Sequence, residues 1–103
     1  MGSFPEEISR IVSLLEKHLK TPFRVYLFGS FARGDATPYS DLDLAVETLD
    51  KTLSPKEWAK VKNTVEEELK TLRKVELIYY NTAPEEFKKV IDKEKITVYE
   101  PSR

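Results

Sequence analysis

The stretch FGSFARGDATPYSDLDLAVE, residues Phe28–Glu47, decides the fold of this chain. It starts where a short apolar run, Phe23–Phe28, ends, and the valine and aromatic residues of that run are typical of a buried strand. The segment Gly29–Ser40 is rich in glycine, proline and polar residues and is predicted to be a loop with one helical turn at Ser30–Arg33. Residues Asp41–Glu47 then place Leu42, Leu44 and Val46 on one face and Asp41, Asp43 and Glu47 on the other, as a strand with one buried face does.

Helical segments flank this stretch on both sides. Apolar residues recur at helical spacing over Pro5–Lys20 and predict an amphipathic helix. Ser54, Pro55 and Glu57 form a strong helix start, because serine caps the helix, proline suits its first position and glutamate can complete a capping box. The buried stripe of this second helix is predicted to contain Trp58, Val61, Val65, Leu69 and Leu72.

The C-terminal third of the chain is predicted to add a strand, a helix and a last strand. Val75–Tyr80 is strand-like, Ala83–Glu86 opens a helix, and Ile96–Tyr99 is extended. The inward residues of this helix are predicted to be Phe87, Val90 and Ile91. The order of elements predicts an α/β (α+β) fold, a small mixed β-sheet with helices packed on it.

Length and composition restrict the classes of function. The 103 residues allow one domain, expected to span residues 1–103. Acidic and basic residues are intermixed with a net charge of −1, which argues against nucleic acid as the main partner. The absence of cysteine excludes disulfides, zinc–thiolate sites and a cysteine nucleophile. Residues 1–7 lack the features of a signal peptide and no apolar run approaches about 20 residues, so we expect a cytoplasmic protein without a membrane span.

Asp41 and Asp43 are the first candidates for chemistry. Residues two apart on a strand point to the same side, so the two carboxylates lie close together and oppose each other's ionisation. A divalent cation reverses this penalty, because Mg²⁺ takes one or two carboxylates together with phosphate oxygens. Two such ions can clamp both oxygens of a phosphoryl displacement. The alternative is a solvent-facing strand that carries two incidental acids.

Glu76 is the candidate for a third acid. It shares the polar face of Asp41 and Asp43 if its strand pairs beside theirs, although the sequence does not determine this register. The alternative is an exposed acid that pairs with Lys74 or Arg73.

The loop after the first strand is suited to a polyphosphate. Gly29 allows close backbone approach and an unusual φ, and Ser30 brings a hydroxyl and a backbone N–H to a helix N-terminus. Arg33 can offset phosphate charge, or it can be an ordinary surface ion-pairing residue. Gly34 permits a second sharp turn. The loop is not a Walker motif, because the lysine and its spacing are missing.

Gly29-Ser30-Phe31-Ala32-Arg33-Gly34 followed by Ser40-Asp41-Leu42-Asp43-Leu44 resembles the signature of the DNA-polymerase-β-like nucleotidyltransferase superfamily. The chain is most similar to its minimal nucleotidyltransferase (MNT) branch, and the resemblance extends from the first helix through Glu100. It implies the polymerase-β-like fold and ATP as a substrate held with Mg²⁺, with two ions expected.

The resemblance also implies roles for individual residues. Gly29 and Ser30 correspond to the pair that holds the β and γ phosphates, and Asp41 and Asp43 to the metal-binding acids. Glu76 corresponds to a third acid that is usually aspartate, so its longer side chain is a departure from the family pattern. Arg33 and Ser40 are further candidates for nucleotide contact. Ser40 can equally be a turn residue before the strand.

The expected function is Mg²⁺-dependent transfer of a nucleoside monophosphate, AMP from ATP, to a hydroxyl. Many minimal members accompany an all-helical HEPN toxin and act as antitoxins, in some cases by adenylylating a tyrosine of the partner. A lone minimal domain leaves its cleft open, so a partner or a second copy is expected to cover it. The alternatives are a non-catalytic module that neutralises a partner by contact, and a small-molecule nucleotidyltransferase.

Overall fold

The computed structural model describes residues 4–102 and contains one four-stranded mixed sheet. Its strands are β1 (Phe23–Phe28), β2 (Leu42–Thr48), β3 (Val75–Tyr79) and β4 (Ile96–Tyr99), in the order β3-β2-β1-β4. β1 pairs antiparallel with both β2 and β4, whereas β2 and β3 are parallel. The predicted mixed sheet is confirmed, and residues 1–3 and 103 lie outside the described part.

Four α-helices in the described residues 4–102 connect and cover the strands: α1 (Glu7–His18), α2 (Ser30–Arg33), α3 (Pro55–Leu69) and α4 (Glu85–Glu94). A short 3₁₀ turn at Tyr80–Thr82 precedes α4. Because β2 and β3 are parallel, the chain must cross back over the sheet between them, and α3 makes that crossover. No helix within residues 4–102 is long and apolar enough to cross a membrane.

One face of the sheet carries the main apolar core. Leu42, Leu44 and Val46 of β2 point into it and are fully buried, as their alternation predicted. α1 and α3 cover this face, and Trp58 of α3 stacks on Tyr79 of β3 with ring centroids 4.9 Å apart. This packing accounts for the helical spacing of apolar residues along both helices.

The opposite face carries a smaller apolar cluster under α4. Tyr26, Phe28 and Ala45 of the sheet pack there with Ile91 of α4, and all four residues are buried. β1 is therefore buried on both faces from Val25 to Phe28, which explains why these four residues are apolar or aromatic in succession rather than alternating with polar ones. The same face of β2 also presents Asp43, so α4 packs beside the acids.

Two residues predicted to be buried are exposed. α3 ends at Leu69 because Lys70 adopts a left-handed conformation (φ 52°), so Leu72 falls in the turn before β3 and is fully exposed. Val90 is 47% exposed, whereas Ile91 is fully buried. Neighbouring residues differ by about 100° around a helix, and α4 buries only a narrow stripe. The predicted bounds of α1 and β3 were also slightly too long, since α1 is Glu7–His18 and Tyr80 belongs to the 3₁₀ turn.

The start of α3 gives a test of the local sequence signals. The Ser54 hydroxyl accepts a hydrogen bond from the Glu57 N–H at 3.1 Å, and Glu57 Oε1 accepts from the Ser54 N–H at 2.8 Å. We expect Ser54→Ala to lower the free energy of unfolding by about 1 kcal/mol, measured by urea denaturation. Leu72→Ala serves as the control and should change it by less than about 0.5 kcal/mol, because Leu72 is exposed. Equal losses in the two variants would contradict this account.

Candidate active site

The loop that leaves β1 turns sharply at Gly29. Gly29 has φ 80° and ψ −157°, a conformation that residues with a Cβ rarely adopt. Its carbonyl accepts the Arg33 N–H at 3.0 Å, and the Ser30 carbonyl accepts the Gly34 N–H at 3.0 Å. The single helical turn predicted at Ser30–Arg33 is thus confirmed, with Ser30 at its first position.

Gly29 also lies directly against the side chain of Asp43 in β2. In the β1–β2 ladder Phe28 pairs with Asp43, so the next residue of the chain passes beside the Asp43 side chain. A Cβ built on Gly29 would overlap the Asp43 carboxylate oxygen Oδ2. The absence of a side chain at Gly29 therefore lets the loop backbone and the Asp43 carboxylate occupy adjacent positions.

The β2–β3 register brings the second acid alongside. Asp43 and Glu76 are paired across the two parallel strands, and residues paired in this way point to the same face. Asp41 lies one residue before β2 and is exposed, Asp43 is half-buried, and Glu76 is exposed. The register that the sequence left open thus places Glu76 beside Asp43.

The negative charges at this site repel one another. Burial is the largest cause that raises the pKa of the Asp43 carboxyl above its ordinary value. The negative charges of Asp41 and Glu76 raise this pKa further. Glu94 acts in the same direction, and only Arg33 lowers it. At Asp43 the negative charges of the neighbouring acids therefore outweigh the positive charge of Arg33.

Glu94 is a site residue that sequence reasoning missed. Its carboxylate accepts the Gly29 N–H at 3.0 Å through Oε1 and pairs with Arg33 Nη1 at 3.0 Å through Oε2. Its position follows from the antiparallel β1–β4 ladder, in which Leu27 pairs with Ile96. Continuing this antiparallel ladder by two residues places Gly29 opposite Glu94. No local motif marks this glutamate, because the ladder that brings it here joins distant parts of the chain.

The remaining predicted residues have other contacts in the structure. Arg33 pairs with Glu94 and, at 3.4 Å, with Asp35, as the ion-pairing alternative supposed. The Ser40 hydroxyl accepts the Thr37 N–H at 2.8 Å, so it stabilises the turn before β2. Nucleotide contact by either residue stays a prediction.

The alternative ion-pairing role for Glu76 is wrong. Within residues 4–102 Glu76 forms no salt bridge, and Arg73 pairs with Glu7 instead at 3.5 Å. Arg73 also donates from Nη1 to the Ser40 carbonyl at 3.1 Å and lies over the Phe31 ring at 5.2 Å. Arg73 thus holds the loop against the start of α1 and leaves Glu76 free of a cation.

The carboxylates match the chemistry of a magnesium site. In the described part of the chain, no three His, Cys, Asp or Glu side chains already converge tightly enough to hold a metal ion. The donor set nevertheless fits Mg²⁺, because Asp41, Asp43 and Glu76 offer hard oxygen ligands from the neighbouring strand ends. Burial and the neighbouring carboxylates raise the pKa of Asp43, so a cation bound here would stabilise its ionised form.

Comparison with known families agrees with this geometry. The model of the family described as polymerase beta, nucleotidyltransferase, matches residues 9–103. No curated protein sequence matches the chain.

Several solved structures share the fold. A toxin–antitoxin structure with AMP-PNP has a TM-score of 0.73 and 22% identity, covering 94% of this chain and 75% of that chain. A tri-AMPylated HEPN toxin in complex with an MNT antitoxin, from Shewanella oneidensis, has a TM-score of 0.68 and 19% identity, covering 92% and 71%. A structure provisionally described as a minimal nucleotidyltransferase has a TM-score of 0.59 and 27% identity, covering 92% and 98%.

The charge balance predicts the effect of Asp43→Asn. We expect this variant to lose Mg²⁺-dependent ATP binding in calorimetry, while the metal-free protein unfolds at the same or a higher temperature at neutral pH. The gain should disappear as the pH falls through the raised pKa of Asp43, because the wild-type carboxyl is then already protonated. Asp50→Asn, at an exposed position after β2, is the control. Equal ATP affinity in Asp43→Asn and wild type would remove Asp43 from the metal site.

The two glycines of the loop give a matched pair of variants. Gly29 and Gly34 both have positive φ, but a Cβ at Gly34 meets nothing within 4 Å, whereas one at Gly29 meets Asp43. We expect Gly34→Ala to cost about 1–2 kcal/mol of stability through backbone strain. Gly29→Ala should cost more, because the strain is joined by the overlap of its Cβ with Asp43. Only Gly29→Ala should also weaken binding of Mg²⁺-ATP much more than binding of adenosine. If Gly34→Ala weakens ATP binding equally, loop strain rather than the approach to Asp43 controls the site.

Proposed function

Because the chain belongs to the polymerase-β nucleotidyltransferase family, we propose that it transfers AMP from Mg²⁺-ATP to a hydroxyl group. The observation that carries this proposal is the position of Gly29 against Asp43, with Glu76 beside Asp43 on the next strand. A loop that presents backbone N–H groups then adjoins carboxylates suited to a cation. A nucleoside triphosphate with bound Mg²⁺ supplies both the anion and the cation that such a site requires.

Each residue has a role in the proposed reaction. Gly29 and Ser30 seat the β and γ phosphates at the start of α2. Asp41, Asp43 and Glu76 hold Mg²⁺, which when bound polarises the phosphate oxygens and neutralises developing charge. The acceptor oxygen forms a bond to the α phosphorus as the bond to pyrophosphate breaks, and the acceptor proton passes to a carboxylate, with Glu76 as the candidate base.

The proposed acceptor is a hydroxyl on a helical HEPN-type protein, and the chain then acts as an antitoxin. Two of the fold neighbours are described as a toxin–antitoxin structure and as an MNT antitoxin in complex with an AMPylated HEPN toxin. The surface next to the acids supports a macromolecular acceptor. Tyr39 is 94% exposed and Leu72 is fully exposed, and both border a groove that contains Asp41. A protein acceptor would bury these two side chains, whereas a small acceptor would leave them in water.

Two other functions remain as outcomes of the test. A contact-only module would neutralise its partner without transfer, and its carboxylates would be residual. A small-molecule nucleotidyltransferase would modify a low-molecular-weight hydroxyl compound instead of a protein.

We therefore expect label from [α-³²P]ATP with Mg²⁺ to pass to the protein encoded by the adjacent gene. Glu76→Gln should cut this transfer by about 10²-fold or more, as for a lost base, whereas Glu76→Asp should retain substantial activity. Both variants are checked for folding by thermal melting without metal, where Glu76→Gln should be at least as stable as wild type. Undiminished transfer by Glu76→Gln would remove Glu76 from the mechanism. ATP binding without any transfer would favour the contact-only module.

A further inference from the structure

We propose that Glu94 is a positioning residue that holds the loop of Gly29 and Ser30 in the shape required for a triphosphate. This inference rests on the proposed function, because it concerns how the same site binds ATP. Glu94 is the last residue of α4, and Ile91 anchors that helix in the apolar cluster on the sheet. A carboxylate at this position is thus attached to a part of the fold that does not belong to the loop.

The Glu94 carboxylate bridges both ends of the loop turn. One oxygen accepts the N–H of Gly29 at the entry of α2, and the other pairs with Arg33 at its last position, each at 3.0 Å. Gly29 adopts a left-handed φ of 80°, a conformation that is one of several open to glycine in a free chain. The two contacts hold this conformation in the free protein, so less conformational entropy of the loop is lost when a ligand binds.

The Glu94 carboxylate could either stabilise the loop or occupy the position of a phosphate, and its contacts bear on which of the two it does. A carboxylate that occupies the phosphate position would lie in the open mouth of the site, as the exposed side chains of Asp41 and Glu76 do. The Glu94 side chain is only 21% exposed, and Arg33, which it contacts, is 48% exposed. Because the Glu94 carboxylate already bonds the Gly29 N–H and Arg33, a phosphate that leaves it in place binds at the N–H groups that follow Gly29.

Electrostatics and positioning predict opposite signs for the loss of Glu94. Removal of a negative charge close to a polyanion strengthens binding if charge repulsion dominates. Removal of the residue that orders the loop weakens binding, because the loop must then be ordered by the ligand. The sign of the change in ATP affinity thus separates the two effects, and we expect the positioning effect to be larger.

The experiment measures calorimetric affinities of the full chain for Mg²⁺-ATP and for adenosine. Glu94→Ala should weaken ATP binding about 10-fold or more while adenosine binding stays within about twofold, since only the phosphates contact the loop. Glu94→Gln keeps an acceptor for the Gly29 N–H and should show a smaller loss. Glu85→Ala removes a carboxylate from the same helix at a side chain that is 84% exposed, and it should leave both affinities unchanged.

Each result supports or overturns the proposal. Tighter ATP binding by Glu94→Ala means that repulsion dominates, and unchanged binding means that the loop needs no support, so either overturns it. Equal weakening for ATP and adenosine indicates general loosening of the domain and also overturns it. Because binding is measured without transfer, a protein that binds ATP as expected but modifies no acceptor contradicts the proposed function alone. A wild type that binds no ATP overturns both.

Discussion

The close approach of the Gly29 backbone to the Asp43 carboxylate is the contact on which the site depends. It arises because β1 ends opposite Asp43 in an antiparallel ladder and the chain then turns at a positive φ. The backbone N–H groups of the loop and the Asp43 carboxylate consequently belong to adjacent segments. An anion alone would meet the carboxylate, and a cation alone would leave the N–H groups unused. The geometry suits a ligand that brings both, as a metal-bound polyphosphate does.

This arrangement costs stability that other parts of the fold must supply. Burial and the neighbouring acids raise the pKa of Asp43, and Arg33 is the cation that opposes them. The apolar cluster between the sheet and the helices α1 and α3 supplies the stabilising free energy, because the inward residues of β2 are fully buried there. β2 therefore buries Leu42, Leu44 and Val46 on one face, whereas its other face carries Asp43 next to the buried Ala45.

α4 connects the face of the sheet that carries Asp43 to the loop after β1. Ile91 fixes the helix in a small apolar cluster with Tyr26 and Phe28, while Glu94 at its end contacts the loop. The parallel β2–β3 pair and the antiparallel β1–β4 pair meet at the same end of the sheet, which brings Glu76 and Glu94 to the loop from opposite sides. Four segments that are distant in sequence thus supply one site, and the sheet register sets their relative positions.

The sequence by itself determined the helices and strands, and it placed Asp41 and Asp43 next to each other in the candidate site. Local periodicity and capping chemistry located the helices, the strands and the turn at Ser30–Arg33, because these depend on residues a few positions apart. The adjacency of Asp41 and Asp43 also followed from strand geometry. Tertiary structure decided that Leu72 is exposed, that Glu76 pairs with Asp43 and that Glu94 reaches Gly29. Those facts depend on where α3 ends and on the strand register, and register is set by packing between segments that no short-range pattern relates.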